Sequence, residues 1–186
     1  DRVIRFVARS PPHTHAPPLS PVAMRVLNIA EKPSVAKELA AILAKGAAQR
    51  ATSKSKFNPA FQFEFSLRGQ RVTMVVTSVS GHMMSLDVVP EYQTWRSCDP
   101  ARLFDVPVIK FVQKDHQDVD SNIRHHAKSC QMLVLWLDCD REGENIAFEV
   151  IQRCTEVNPR LQILRARFSA LIPRCARMRA IGRESG

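Results

Sequence analysis

The 186-residue chain has no CxxC pair among its five cysteines, no GxxxxGK[ST] element and a single tyrosine. It also has no uninterrupted apolar run of about 18 residues, the length a membrane-spanning helix needs. Each absence removes a class of protein. A structural zinc site requires thiolates or imidazoles clustered at close spacing, so zinc is not expected. Cys98, Cys130, Cys139, Cys154 and Cys175 are an odd, scattered set, which argues against a disulfide scaffold and suits a reducing compartment. Without the glycine-rich phosphate loop the chain is not a P-loop ATPase. No helix is expected to cross a membrane.

What is present describes a folded domain. Hydrophobic residues make up 45% and charged residues 24%, an ordinary balance for a chain long enough to bury a core. Lys and Arg number 27 against 18 Asp and Glu, a formal net charge of +9. A basic excess admits nucleic acid or another acidic surface as partner. Residues 1–23, however, hold three basic side chains against one acid, and residues 174–186 hold four against one. More than half the excess therefore lies at the ends, and the charge total alone is a weak argument for nucleic acid. Residues 1–23 also carry Pro11, Pro12, Pro17, Pro18 and Pro21. They read as a disordered extension with a faint likeness to an organelle transit peptide.

From Met24 the pattern changes. Residues 26–30 read as a short buried strand ending at Glu31. Pro33 and Ser34 open a helix, with Ser34 as its cap, and the apolar spacing of Val35, Leu39, Ile42 and Leu43 carries it to Gly46. Residues 47–60 are polar and basic and read as a loop. Phe61, Phe63 and Phe65 alternate with polar residues as in a half-exposed strand. A turn at residues 68–70 leads to a more central strand over 72–79, making a hairpin. Residues 81–107 look irregular, with Tyr92 and Trp95 as packing anchors. Residues 115–130 read as a polar helix and 132–137 as a strand buried on both faces, the mark of a parallel sheet. A helix over 146–154 and a strand over 161–168 complete the pattern. The order implies an α/β domain around a mixed sheet.

Such sheets place their chemistry at the carboxyl ends of the strands. Glu31 stands after the first strand, and Asp138-Cys139-Asp140-Arg141-Glu142 after the most hydrophobic one. Residues two apart in an extended segment face the same way. Asp138 and Asp140 are thus expected to meet at one point, with Glu142 joining as the chain turns. Converging carboxylates need a cation, and hard oxygen ligands favour Mg²⁺ with a substrate phosphate. A solvated acidic turn, with Asp138 or Asp140 capping a helix, is the plainer alternative. A glycosyltransferase DxD also remains open on spacing alone.

Three segments together decide more. Ala30-Glu31-Lys32-Pro33-Ser34, residues 77–82 (TSVSGH) and residues 137–145 (LDCDREGEN) resemble, in order and spacing, the Toprim domain of type IA DNA topoisomerases. The likeness points to the alpha form of the eukaryotic topoisomerase III branch. Residues 165–170 (RARFSA) fit the segment at the carboxyl end of that domain in the family. The resemblance implies a Toprim, Rossmann-like fold, a mainly parallel central sheet flanked by helices, over residues 24–173. It implies ATP-independent breakage, passage and rejoining of single-stranded DNA. Glu31 would be the acid that protonates the leaving 3′ oxygen, since a carboxylate crowded by others holds its proton more tightly. Lys32 would offset charge on the phosphate. Asp138, Asp140 and Glu142 would bind Mg²⁺. Ser80, Gly81 and His82 would line the site, and Arg141 and Arg167 would contact phosphate.

The family's nucleophile is a tyrosine in a later domain, and Tyr92 matches no such motif. Residues 174–186 diverge from the family and read as a basic tail. The expectation is a fragment that cannot cleave DNA alone. The same resemblance implies a RecQ-family helicase and an OB-fold accessory subunit as partners, roles in recombination and repair, and a nuclear or mitochondrial location. Other Toprim chemistries that need no tyrosine, primase-like or ribonuclease M5-like, remain alternatives, as does a non-catalytic DNA-binding module.

Overall fold

The structure, a computed structural model, describes residues 24–67, 69–94 and 96–166. In chain order its elements are β1 (Met24–Ala30), α1 (Pro33–Leu43), β2 (Gln49–Ala51), β3 (Ala60–Leu67), β4 (Gln70–Ser78), β5 (Met84–Val88), β6 (Val108–Val112), α2 (Gln117–Ala127), β7 (Met132–Trp136), α3 (Arg141–Val157) and β8 (Gln162–Arg165). Six strands form one sheet in the order β2-β3-β4-β1-β7-β8. β1 pairs in parallel with both β4 and β7, and β7 in parallel with β8, while β2 and β3 are antiparallel additions at one edge. The mainly parallel sheet is the expected one.

Strand alternation explains the layering. Along β1, Leu27 and Ile29 face one side and Val26 and Ala30 the other; along β7, Leu133 and Leu135 oppose Val134 and Trp136. The first side packs on α2 and α3 through Ile123, Ile146 and Val150. The second packs on α1 through Ala36, Leu39 and Ala40. All five residues of β7 are buried, which is why the run is continuously apolar rather than alternating. Asn28 is a fully buried exception beneath α1. Its carboxamide donates to the Val26 and Val75 carbonyls and accepts from the indole N–H of Trp136 at 3.0 Å, so the buried amide is satisfied.

Several expectations need correction. Ser34 does not cap α1: Lys32 occupies the cap position in extended conformation and offers no side-chain bond, and Pro33 begins the helix. Proline's fixed φ starts the turn one residue earlier than a Ser34 cap would allow. The stop at Gly46 holds, because Lys45 and Gly46 have φ of 50° and 86° and the Gly46 N–H returns to the Ala41 carbonyl. The 47–60 loop contains β2, an edge strand created by pairing with β3 rather than by any pattern of its own. The irregular stretch 81–107 contains β5, which pairs with β6 as a separate two-stranded sheet. Met84, Leu86 and Val88 alternate with Ser85 and Asp87, a legible period-two signal. Tyr92 is half-buried and lines a cavity of about 250 Å³ with Val88, Thr94 and Leu103. Trp95, Arg167 and the two ends, residues 1–23 and 174–186, lie outside the described residues.

Candidate active site at the strand ends

Because β1, β4 and β7 run parallel and adjacent, their carboxyl ends open on one edge of the sheet. The residues that leave them line a single open cavity of about 500 Å³: Glu31, Lys32 and Pro33 after β1, Ser80 and Gly81 after β4, and Asp138, Asp140 and Glu142 after β7. Seven of the ten residues singled out from sequence thus come together by topology. Four carboxylates face one ammonium there, so the cavity favours a cation.

Glu31 is the most enclosed of the acids whose contacts can be traced. Its side chain is 14% exposed, with Oε1 3.5 Å from the Lys32 ammonium. Its Oε2 accepts from the Asp138 N–H at 3.4 Å, joining the end of β1 to the end of β7. On the other side the Val79 N–H donates to the Ala30 carbonyl at 3.0 Å, extending the β1–β4 ladder to the cavity rim. Gly81 comes next with φ of +82°, a backbone conformation that favours glycine.

Asp140 caps α3. Its Oδ1 accepts from the Gly143 N–H at 2.7 Å, and Glu142 and Glu144 lie in the first turn, where acids complement the helix dipole. A Cβ on Gly143 would overlap the Asp138 carbonyl oxygen, so only glycine permits this approach of helix to strand. The helix starts at Arg141, five residues earlier than its apolar pattern suggests. Glu142 is therefore helical, and the period-two rule that aimed three acids at one point ends at Asp140. Among the described residues no three His, Cys, Asp or Glu side chains converge closely enough to hold a metal ion. The three acids share a cavity without forming a ligand cluster.

His82 does not line this cavity. Its Nδ1 is 3.1 Å from Oε1 of Glu149, whose carboxylate is 3% exposed and whose Oε2 accepts the Met83 and Met84 N–H groups. Lys110 reaches the same carboxylate at 3.8 Å. Arg141 is exposed at the first position of α3 and stands outside the cavity lining.

A Toprim domain profile matches residues 26–171. The chain belongs to the Toprim domain family. It is similar to DNA topoisomerase 3-alpha of Arabidopsis thaliana, 50% identical over 149 residues that make 80% of this chain and 16% of that protein. It is similar to the Homo sapiens DNA topoisomerase 3-alpha at 44% over 153 residues, 82% of this chain and 15% of that protein. The Dictyostelium discoideum DNA topoisomerase 3 is 46% identical over 151 residues, 81% and 18% respectively. The chain thus spans less than a fifth of the length of these relatives. The resemblance carried by the three motifs is family membership, and the α/β architecture agrees with it.

Within this Toprim unit, three supporting residues escape sequence reasoning. Asn58 is 1% exposed, and its Nδ2 lies 2.9–3.1 Å from the Ser78 carbonyl and hydroxyl, the Val79 carbonyl and the Ser80 hydroxyl. It pins the Toprim SGH segment against the end of β4. Nothing in a polar loop marks such a residue. Glu149 and Arg165 did carry a signal: each is a charge within an otherwise apolar face or strand.

Proposed function

We propose that this Toprim chain supplies the acidic half of a type IA topoisomerase site, acting on a phosphodiester of single-stranded DNA. The observation that carries this reading is the shared cavity of the Glu31–Lys32 pair and the Asp138, Asp140 and Glu142 acids. In the step, a tyrosine oxygen attacks phosphorus and the P–O3′ bond breaks. Glu31 gives its proton to the departing 3′ oxygen and takes it back on rejoining. Lys32, beside it, offsets charge on the phosphoryl oxygens. Asp138, Asp140 and Glu142 fit Mg²⁺ by donor chemistry, being carboxylates on an open, water-accessible cavity that leaves room for a phosphate. The ion, when bound, supplies positive charge to the substrate phosphate.

Ser80 and Gly81 form the opposite wall, and His82, Arg141 and Arg167 are assigned to DNA contact. Tyr92 lines a separate cavity, so the attacking tyrosine is assigned to the part of the longer relatives outside this sequence. The same reading places the whole protein in the nucleus, with the mitochondrion as a second location. A RecQ-family helicase and an OB-fold subunit are its partners in recombination and repair.

The test is a chimera carrying residues 26–166 in place of the matching segment of the Arabidopsis relative. Mg²⁺-dependent relaxation of negatively supercoiled plasmid is expected. Glu31→Gln should lower it by about a hundredfold or more, the usual range for a lost general acid, while single-stranded DNA binding persists. Relaxation unchanged by Glu31→Gln would overturn the assignment.

A further inference from the structure

We infer that Arg165 is a positioning residue that sets the direction of the Asp138 carboxylate, an inference that rests on the proposed role of the acid cavity. Arg165 ends β8, next to β7, and is 2% exposed. Its Nη1 donates to the carbonyls of Leu137 at 2.7 Å, Ala166 at 3.1 Å and Leu135 at 3.3 Å. Its Nη2 donates to the Asp138 carbonyl at 2.7 Å, and its Nε donates to Glu144 in the first turn of α3 at 3.0 Å.

A guanidinium does not give up its proton in a protein, so a full positive charge is buried here. Its one carboxylate partner, Glu144, is 47% exposed. An apolar residue would fill the same space without the desolvation penalty. What the charge does is join three things: the last carbonyls of β7, the Asp138 peptide and the start of α3. Asp138 is then held at both ends, its N–H by Glu31 and its C=O by Arg165, with the α carbon of Gly143 pressed against the same oxygen. With its backbone fixed, the side chain has one way to leave, toward the cavity it lines. Holding a ligand through a bond to its other groups is how supporting residues tune a metal site.

The experiment uses the 186-residue chain with Arg165→Gln, Arg165→Lys and Glu144→Gln, and reads three quantities. These are Mg²⁺ affinity by titration calorimetry, amide exchange by residue, and thermal unfolding. A folded Arg165→Gln is expected to bind Mg²⁺ at least tenfold more weakly. Its exchange should accelerate tenfold or more at residues 138–143 while the amides of β1 and β4 keep their protection. Arg165→Lys keeps the charge but has one nitrogen where Arg spans the Leu137 and Asp138 carbonyls, so it should show the same localised acceleration in smaller degree. Glu144→Gln, which leaves the carbonyl contacts, should change affinity less than threefold.

Wild-type exchange at 138–143 in a folded Arg165→Gln, or acceleration spread evenly over the sheet, overturns the inference. If Arg165→Gln does not fold, Arg165→Lys decides by the same criterion. A wild-type chain that binds no Mg²⁺ counts against the proposed function instead, and the exchange pattern still decides the role of Arg165.

Discussion

His126, near the end of α2, shows how burial sets a residue's chemistry. It is 5% exposed, and its Nε2 is buried without a hydrogen-bond partner. Burial disfavours the imidazolium, and the neighbouring His125 and Arg25 charges add to the effect, so its pKa lies below the ordinary 6.5. The folded state refuses a proton that the unfolded state takes up. Stability is therefore complete above pH 6.5 and falls as pH drops below it, by up to about 1.4 kcal/mol per pH unit for one proton. Urea midpoints measured from pH 7.5 to 5 should show this fall in the wild type and a flatter profile in His126→Leu. Equal slopes would contradict it. The sequence names His126 but not its burial, since a histidine in a polar helix reads as solvated. Glu31, Lys32 and the acids were legible because their strand-end positions come from pattern. Asn58 was not, because a buried amide in a loop has no periodicity.

At the scale of elements, the junction of β7 and α3 carries the most constraint. Asp140 caps the helix, Gly143 touches the Asp138 carbonyl, and Arg165 holds that carbonyl from the other side. Gly143→Ala should push the first turn of α3 off β7 and cost about 1–3 kcal/mol, as overpacking does. Chemical denaturation checks the loss, and Mg²⁺ titration should weaken in parallel. Wild-type stability in the alanine variant would mean the turn shifts without strain. The start of α3 is hidden from pattern for a physical reason: residues 141–145 are polar and carry no apolar repeat, and the helix begins there because of its cap and dipole. β2 is equally hidden, because pairing with β3, not its own three residues, makes it a strand. The β5–β6 sheet, by contrast, carries an alternation that can be read.

For the molecule as a whole, the two-sided core should be visible in thiol reactivity. Cys139 is exposed between the two aspartates, whereas Cys130 and Cys154 are buried in the α2–α3 layer. Burial pushes the Cys154 thiol up to about 12, which removes the reactive thiolate. In a Cys175→Ser background, alkylation at pH 8 read by peptide mass spectrometry should label Cys139 promptly. Cys154 should react only as fast as the whole domain unfolds. Prompt native labelling of Cys154 would contradict the packing. By itself the sequence determined the α/β class, the buried central strands and the identity of the acidic motifs, because these depend on periodicity and on residues close along the chain. Only the tertiary structure decided that residues as distant as Glu31, Ser80 and Asp138 share one cavity, and that His82 turns to Glu149. It also decided that the acids meet without closing into a ligand cluster and that Arg165 grips the loop bearing them. Those outcomes depend on which strands lie side by side and where a buried charge finds its partners, and no local pattern encodes either.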